Sequence, residues 1–176
     1  MTVTAEQITA AKATSMREVD LIAECCNQTG ARFYMTLAML EKETTTVRNV
    51  YGGDVGGTFS NFKDPVTECN YRAFRHEVIV RGRTSNGVGP SQITSRDLLR
   101  RMEEQGLKPW VMKDNIAFGA TLIYEYYRHA RDQLDKTVDE ALWYAGKRYN
   151  GDSDYADAYV EVAKKWKARV GFADYS

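Results

Sequence analysis

The run from Phe33 to Leu40, FYMTLAML, carries no charge and almost no polar group. Phe33, Leu37 and Leu40 fall on one stripe at helical spacing, while Tyr34, Met35, Ala38 and Met39 fill the rest of the circumference. A helix that is apolar all round has no face to offer water, so other elements must enclose it. The chain is therefore expected to fold around a central helix.

That helix continues into Glu41, Lys42 and Glu43, then gives way to a threonine run and a glycine-rich loop carrying Asp54. Glu43 follows Leu40 and Met39 by three and four residues, which sets its carboxyl beside packed apolar side chains at the negative end of the helix dipole. Lost hydration and the dipole both disfavour the anion. A carboxyl that stays protonated near neutral pH can act as a general acid, which cleavage of a glycosidic bond requires. The other reading of Glu43 is that it is one of 24 acidic residues, ending a helix on a solvated surface.

A chain of 176 residues, 43% of them hydrophobic, can close one sizeable core, so a single domain over 1–176 is expected. Basic and acidic residues number 24 each, and this neutral balance argues against nucleic acid as a partner. Arg96, Arg100 and Arg101 read as a solvated helix face. Cys25, Cys26, Cys69, His76 and His129 have no paired-ligand spacing, so neither a metal nor another cofactor is expected. Reduced thiols fit synthesis in a reducing compartment. The start, MTVTAEQ, has no signal-peptide pattern and no run approaches 18 apolar residues, so neither secretion by a signal nor membrane insertion is expected.

Capping boxes at Thr4 with Gln7 and at Ser15 with Glu18 predict helices over about 5–13 and 16–28, with Gly30 closing the second and Ala31 opening the core helix. Residues 44–62 read as a loop or small hairpin. Asp64 followed by Pro65 predicts a helix entry, with Val66, Tyr71, Phe74, Val78 and Ile79 turned inward. Further helices are predicted over 91–105, from a cap at Asp114, from a capping box at Thr137 with Glu140 through Lys147, and along the stripe Tyr155, Tyr159, Val162, Trp166 and Val170. That last aromatic stripe reads as core rather than as a sugar platform. Seven or eight helices with at most a small β element make a mainly α domain.

Three polar segments remain, at 44–54, 85–94 and 141–152. Each mixes glycine with hydrogen-bonding or aromatic side chains, the composition of a sugar-binding cleft. Tyr51 lies in the first, Gly89, Gln92 and Thr94 in the second, and Tyr149 and Asn150 in the third. Three ordinary loops between helices would have the same composition.

The order of the segments says more. Glu43-Thr44, then Gly87-Val88-Gly89-Pro90-Ser91-Gln92-Ile93, then Tyr149-Asn150-Gly151 resembles the ordered motifs of the goose-type lysozyme and lytic transglycosylase group. EKETTTVRNVYGGD with NGVGPSQIT further resembles the glycan-cleaving domain of endolysins from phages of mycobacteria and related actinobacteria. The likeness covers residues 31 to 152 or so. It implies a lysozyme-like helical domain that cuts the β-1,4 bond between N-acetylmuramic acid and N-acetylglucosamine in peptidoglycan. By that resemblance Glu43 is the general acid, Gln92 and the backbone at Gly89 line the cleft, Tyr149 hydrogen-bonds the acid or the substrate, and Asn150 shapes the same wall. Tyr51 and Thr94 join the substrate-binding set.

Three departures stand out: Thr44 replaces a serine, Pro90-Ser91 replaces Leu-Met, and about 30 residues separate Asp54 from Gly87. Thr94 stands where goose-type enzymes can carry an aspartate, which weakens one route to a second acid; Asp54 is the best second candidate, because it lies in the same glycine-rich loop, ahead of Asp64, which a capping role already explains. Two carboxyls about 6.5–9.5 Å apart would admit a water and hydrolyse with inversion, and about 5 Å would imply a covalent route. Glu43 alone could instead pass a proton out and take one back from the muramyl 6-hydroxyl, the transglycosylase route. The resemblance also implies a monomeric phage lysin that waits in the host cytoplasm until a holin opens the membrane, then lyses the host cell. The alternative is a non-catalytic wall-binding or phage structural module that uses the same cleft.

Overall fold

The computed structural model describes residues 2–53, 57, 59 and 65–171. Among them are eight α-helices: α1 (Ala5–Lys12), α2 (Val19–Thr29), α3 (Phe33–Thr44), α4 (Glu68–Arg75), α5 (Arg96–Glu104), α6 (Met112–Gln133), α7 (Val138–Asn150) and α8 (Ser153–Val170). A π-helical turn, His76–Val80, extends α4. No strand forms among the described residues, and β pairing is confined to two isolated antiparallel bridges, Val50 with Pro65 and Tyr51 with Val88. The fold is mainly α, as the periodicity predicts.

Every residue from Phe33 to Leu40 is buried, and α2, α6 and α8 pack around α3. Each large apolar side chain taken fully out of water stabilises the fold by about 1.5–3 kcal/mol. Those side chains therefore hold the surrounding helices in place, and the surrounding helices fix where the end of α3 points.

Two apolar clusters form, and α6 belongs to both. Its Ile116, Ile123, Tyr127 and Ala130 join α1, α2, α3, α7 and α8 in the first. Its Phe118 and Leu122 join the second, which gathers Tyr51, Tyr71, Phe74, Val88 and Leu99 from the middle of the chain. Tyr126 and Tyr149 pack against both clusters.

Several helix boundaries differ from prediction, each for a local reason. The boxes at Thr4–Gln7 and Thr137–Glu140 form as expected, and Gly30 closes α2 at φ +74°. Ser15 does not cap α2, because the Thr14 hydroxyl donates to Ala11 O and accepts from Met16 N, turning the chain there; α2 begins only at Val19. Ala31 likewise precedes α3, which opens at Phe33. Pro65 is extended rather than helical, since Val66 N donates to Asn49 O, and the cap of α4 is Thr67 with Asn70. Asp64, the expected cap, lies outside the described residues. Ser91 starts no helix, because residues 88–93 form a tight turn in which Val88 and Ile93 exchange backbone hydrogen bonds. Asp114 is inside α6, not at its cap, and its carboxylate accepts from Lys108 N. The segment 141–152 is not irregular: helix α7 runs through Asn150 and ends at Gly151.

Candidate active site

Helix α3 ends by setting three consecutive side chains against one neighbouring helix. Glu41 accepts from the Trp166 indole at 2.6 Å, Lys42 lies over the Tyr155 ring with its nitrogen 5.2 Å from the centroid, and Glu43 accepts from the Tyr155 hydroxyl at 2.6 Å. All three contacts are with α8, so the docking of that helix fixes the orientation of Glu43. The Glu43 carboxylate is half-buried and lines a cavity of about 250 Å³ with Gln92, Thr94, Leu122, Tyr149 and Asn150. Among the described lining residues it is the only carboxylate.

The opposite wall is the turn 88–93, which is bolted in from beneath. Asn115 of α6 is fully buried; its Oδ1 accepts from Ser91 N at 2.8 Å, and its amide donates to Val88 O at 2.9 Å. Ser91 Oγ returns a hydrogen bond to Asn115 O. The turn needs small residues against this bolt. Gly89 sits at φ +72° with a would-be Cβ 2.6 Å from the Asn115 side chain, and a Cβ on Gly119 would lie 2.3 Å from Ser91 Oγ. Thr44, directly after the candidate acid, donates to Pro90 O and ties the two walls together.

The third wall is the junction of α7 and α8. Gly151 closes α7 in the left-handed region, its N–H donating to Lys147 O, and Asp152 caps α8 by accepting from Tyr155 N. This corner puts Tyr149 and Asn150 at the end of one helix and Tyr155 in the first turn of the next. Burial, and then the charge of Glu43, hold the Tyr155 hydroxyl well above the ordinary tyrosine range. It therefore remains a donor at any ordinary working pH. Tyr149 is raised in the same way and by the same two leading causes.

Of five described non-glycine residues with positive φ, three lie in the segments around Glu43, Thr45 at 56°, Val47 at 56° and Gln92 at 46°, while Glu18 and Asp135 lie elsewhere. For β-branched residues this is a costly conformation, and such strain gathers where function over-determines the backbone.

No protein-family model, curated protein or solved structure matches this chain.

Of the residues singled out in the sequence, Glu43, Gln92, Thr94, Tyr149 and Asn150 meet at the one cavity. Gly89 and Tyr51 do not line it. Gly89 is buried and accepts from the Gln92 side chain, which also donates to Val50 O, so it supports the wall from behind. Tyr51 is 2% exposed, packs its ring against Phe59 and Phe74, and gives its hydroxyl to Asn70 Oδ1, which makes it a core residue. Asp54 lies outside the described residues. The Tyr149 hydroxyl donates to Ser91 O at 2.6 Å, and the Tyr155 hydroxyl donates to Glu43. Sequence reasoning missed Tyr155, which was grouped with the buried stripe of α8, and Asn115. Its position one turn beyond Tyr149-Asn150-Gly151 was the available signal for Tyr155. For metals, no group of three or more His, Cys, Asp or Glu side chains is suitably placed among the described residues.

Proposed function

We propose that the protein cleaves peptidoglycan glycan strands at the β-1,4 bond between N-acetylmuramic acid and N-acetylglucosamine, with Glu43 as general acid. The observation that carries this reading is a half-buried carboxyl, oriented by a half-buried tyrosine, facing Gln92, Tyr149 and Asn150 across one cavity. With Oε1 accepting from Tyr155, the transferable proton belongs on Oε2. It passes to the glycosidic oxygen as the bond to the muramyl C1 breaks, and positive charge develops at C1 opposite the new carboxylate. The departing N-acetylglucosamine keeps that proton as its 4-hydroxyl.

Two completions balance. Glu43 can take the proton of the muramyl 6-hydroxyl as that oxygen closes on C1, giving an anhydro-sugar; or a water activated by a second carboxylate can add, giving a reducing end. A single carboxylate among the described lining residues supports the first route, and Asp54 is the candidate for the second. Mass spectrometry of the released muropeptides separates them, because the products differ by one water.

The reading is tested on purified actinobacterial cell walls. Wild-type protein is expected to solubilise them, and Glu43→Gln to abolish this with an unchanged circular dichroism spectrum. Lysis retained by that variant would reject the assignment of the acid. Binding to walls with neither new reducing ends nor anhydro-sugars would favour a non-catalytic wall-binding module.

A further inference from the structure

We propose that a groove beside the Glu43 cavity, lined by Arg83, Arg96 and Arg100, binds the carboxylates of the peptide stem carried by the muramyl sugar. This rests on the glycan-cleaving reading and adds to it a second substrate-recognition site. The groove encloses about 660 Å³ and shares Thr94 and Ser95 with the Glu43 cavity, so one ligand can occupy both. Ser85 and Asp97 complete the part of the lining that matters for charge and hydrogen bonding.

The local charge is unbalanced. Glu77 is shared by Arg81 at 3.0 Å and Arg83 at 3.1 Å, with His76 at 3.3 Å, and Asp97 lies 3.5 Å from Arg100. Among the described residues four arginines, Arg81, Arg83, Arg96 and Arg100, thus stand against two carboxylates, a surplus of two positive charges on a chain whose net charge is zero. Arg96 forms no ion pair among the described residues and borders the groove next to Gly82. Guanidinium forks match carboxylates in a bidentate geometry. Among the described residues no aromatic side chain lines the groove, so these residues offer no stacking face for a sugar ring. An acidic appendage of the glycan, rather than the glycan itself, suits such a surface.

Calorimetric titration of the Glu43→Gln protein tests the groove without turnover. Three ligands are compared: glycan strands bearing peptide stems, strands stripped of stems by an amidase, and stem-free strands carrying phosphate-bearing wall polymer. Stem-bearing strands are expected to bind about tenfold more tightly than stripped ones at low salt, and salt near 0.5 M to close the gap through screening. Arg96→Ala, which breaks no described ion pair, should lower the preference severalfold, and Arg96→Ala with Arg100→Ala should remove it while binding of stripped strands stays unchanged. Equal affinity for stripped and stem-bearing strands overturns the proposal, as does a preference that survives the double substitution. A gap reproduced only by the phosphate-bearing strands overturns it in favour of phosphate. Stem-dependent, arginine-dependent binding by a wild-type protein that cuts no strand would bring down the glycan-cleaving reading and leave the groove assignment standing.

Discussion

At Glu43 the deciding neighbour comes from 112 residues further along the chain, where the Tyr155 hydroxyl donates across 2.6 Å. A hydrogen bond given to a carboxylate favours its anion. A general acid must be protonated, so turnover falls as pH rises through its pKa. Tyr155→Phe keeps the ring and removes the donor, so the falling limb of the pH–activity profile should move to higher pH. A profile that does not move would show that Tyr155 does not set the acidity of Glu43. The place of Glu43, at the end of a buried helix and beside a polar cavity, was legible because an all-apolar helix must be buried and its last turn must emerge somewhere polar. Tyr51 was misread because its composition suits a stacking face, whereas its ring is committed to Phe59 and Phe74. Tyr155 lies on a stripe in which Tyr159, Trp166 and Val170 are core and Val162 packs half-buried against it, and periodicity cannot reveal that the Tyr155 hydroxyl reaches past the core.

Between elements, the junction of α6 with the turn 88–93 bears most directly on the cavity wall. Asn115→Ala would leave Ser91 N–H without its partner and take from Val88 O one of its two hydrogen bonds, the one from Ile93 N remaining, in a dry setting where an unpaired group costs roughly 1–3 kcal/mol. Thermal unfolding of that variant should fall by several degrees, and activity should drop further than the stability loss accounts for, because Gln92 and Ser91 both ride on this turn. A change near zero in both would mean the turn is held by its own backbone bonds. Helix existence was readable from period and capping residues, while several starts were not. Ser15, Ser91 and Asp114 all look like helix starts, but the turn made by Thr14 displaces the first, and the side chains of the other two go to Asn115 O and Lys108 N instead. A sequence shows which residues can cap but not which competing hydrogen bond wins. Asn115 gave no warning, since an asparagine in a first helical turn ordinarily faces water.

Taken whole, the molecule has two apolar clusters and one helix threaded through both, so neither cluster can come apart without disturbing α6. Unfolding followed by Trp166, which packs in the first cluster, and by Trp110, which packs against the second, should give coincident denaturant transitions in single-tryptophan variants. Separated midpoints would show that one cluster can open while α6 stays packed in the other. The mainly α architecture followed from the hydrophobic pattern. The division into two clusters did not, because contacts between Tyr51, Tyr71, Leu99 and Phe118 are set by long-range packing that no local period encodes. The adjacent Cys25 and Cys26 are both fully enclosed, and burial pushes their thiols up to about 11 and about 12, whereas Cys69 is exposed. A thiol-specific dye at neutral pH should modify one sulfur at once and the other two only when the whole chain opens. The protein thus contains its own stopwatch for global opening, and the slow labelling rate would measure in living lysates how long the folded state persists.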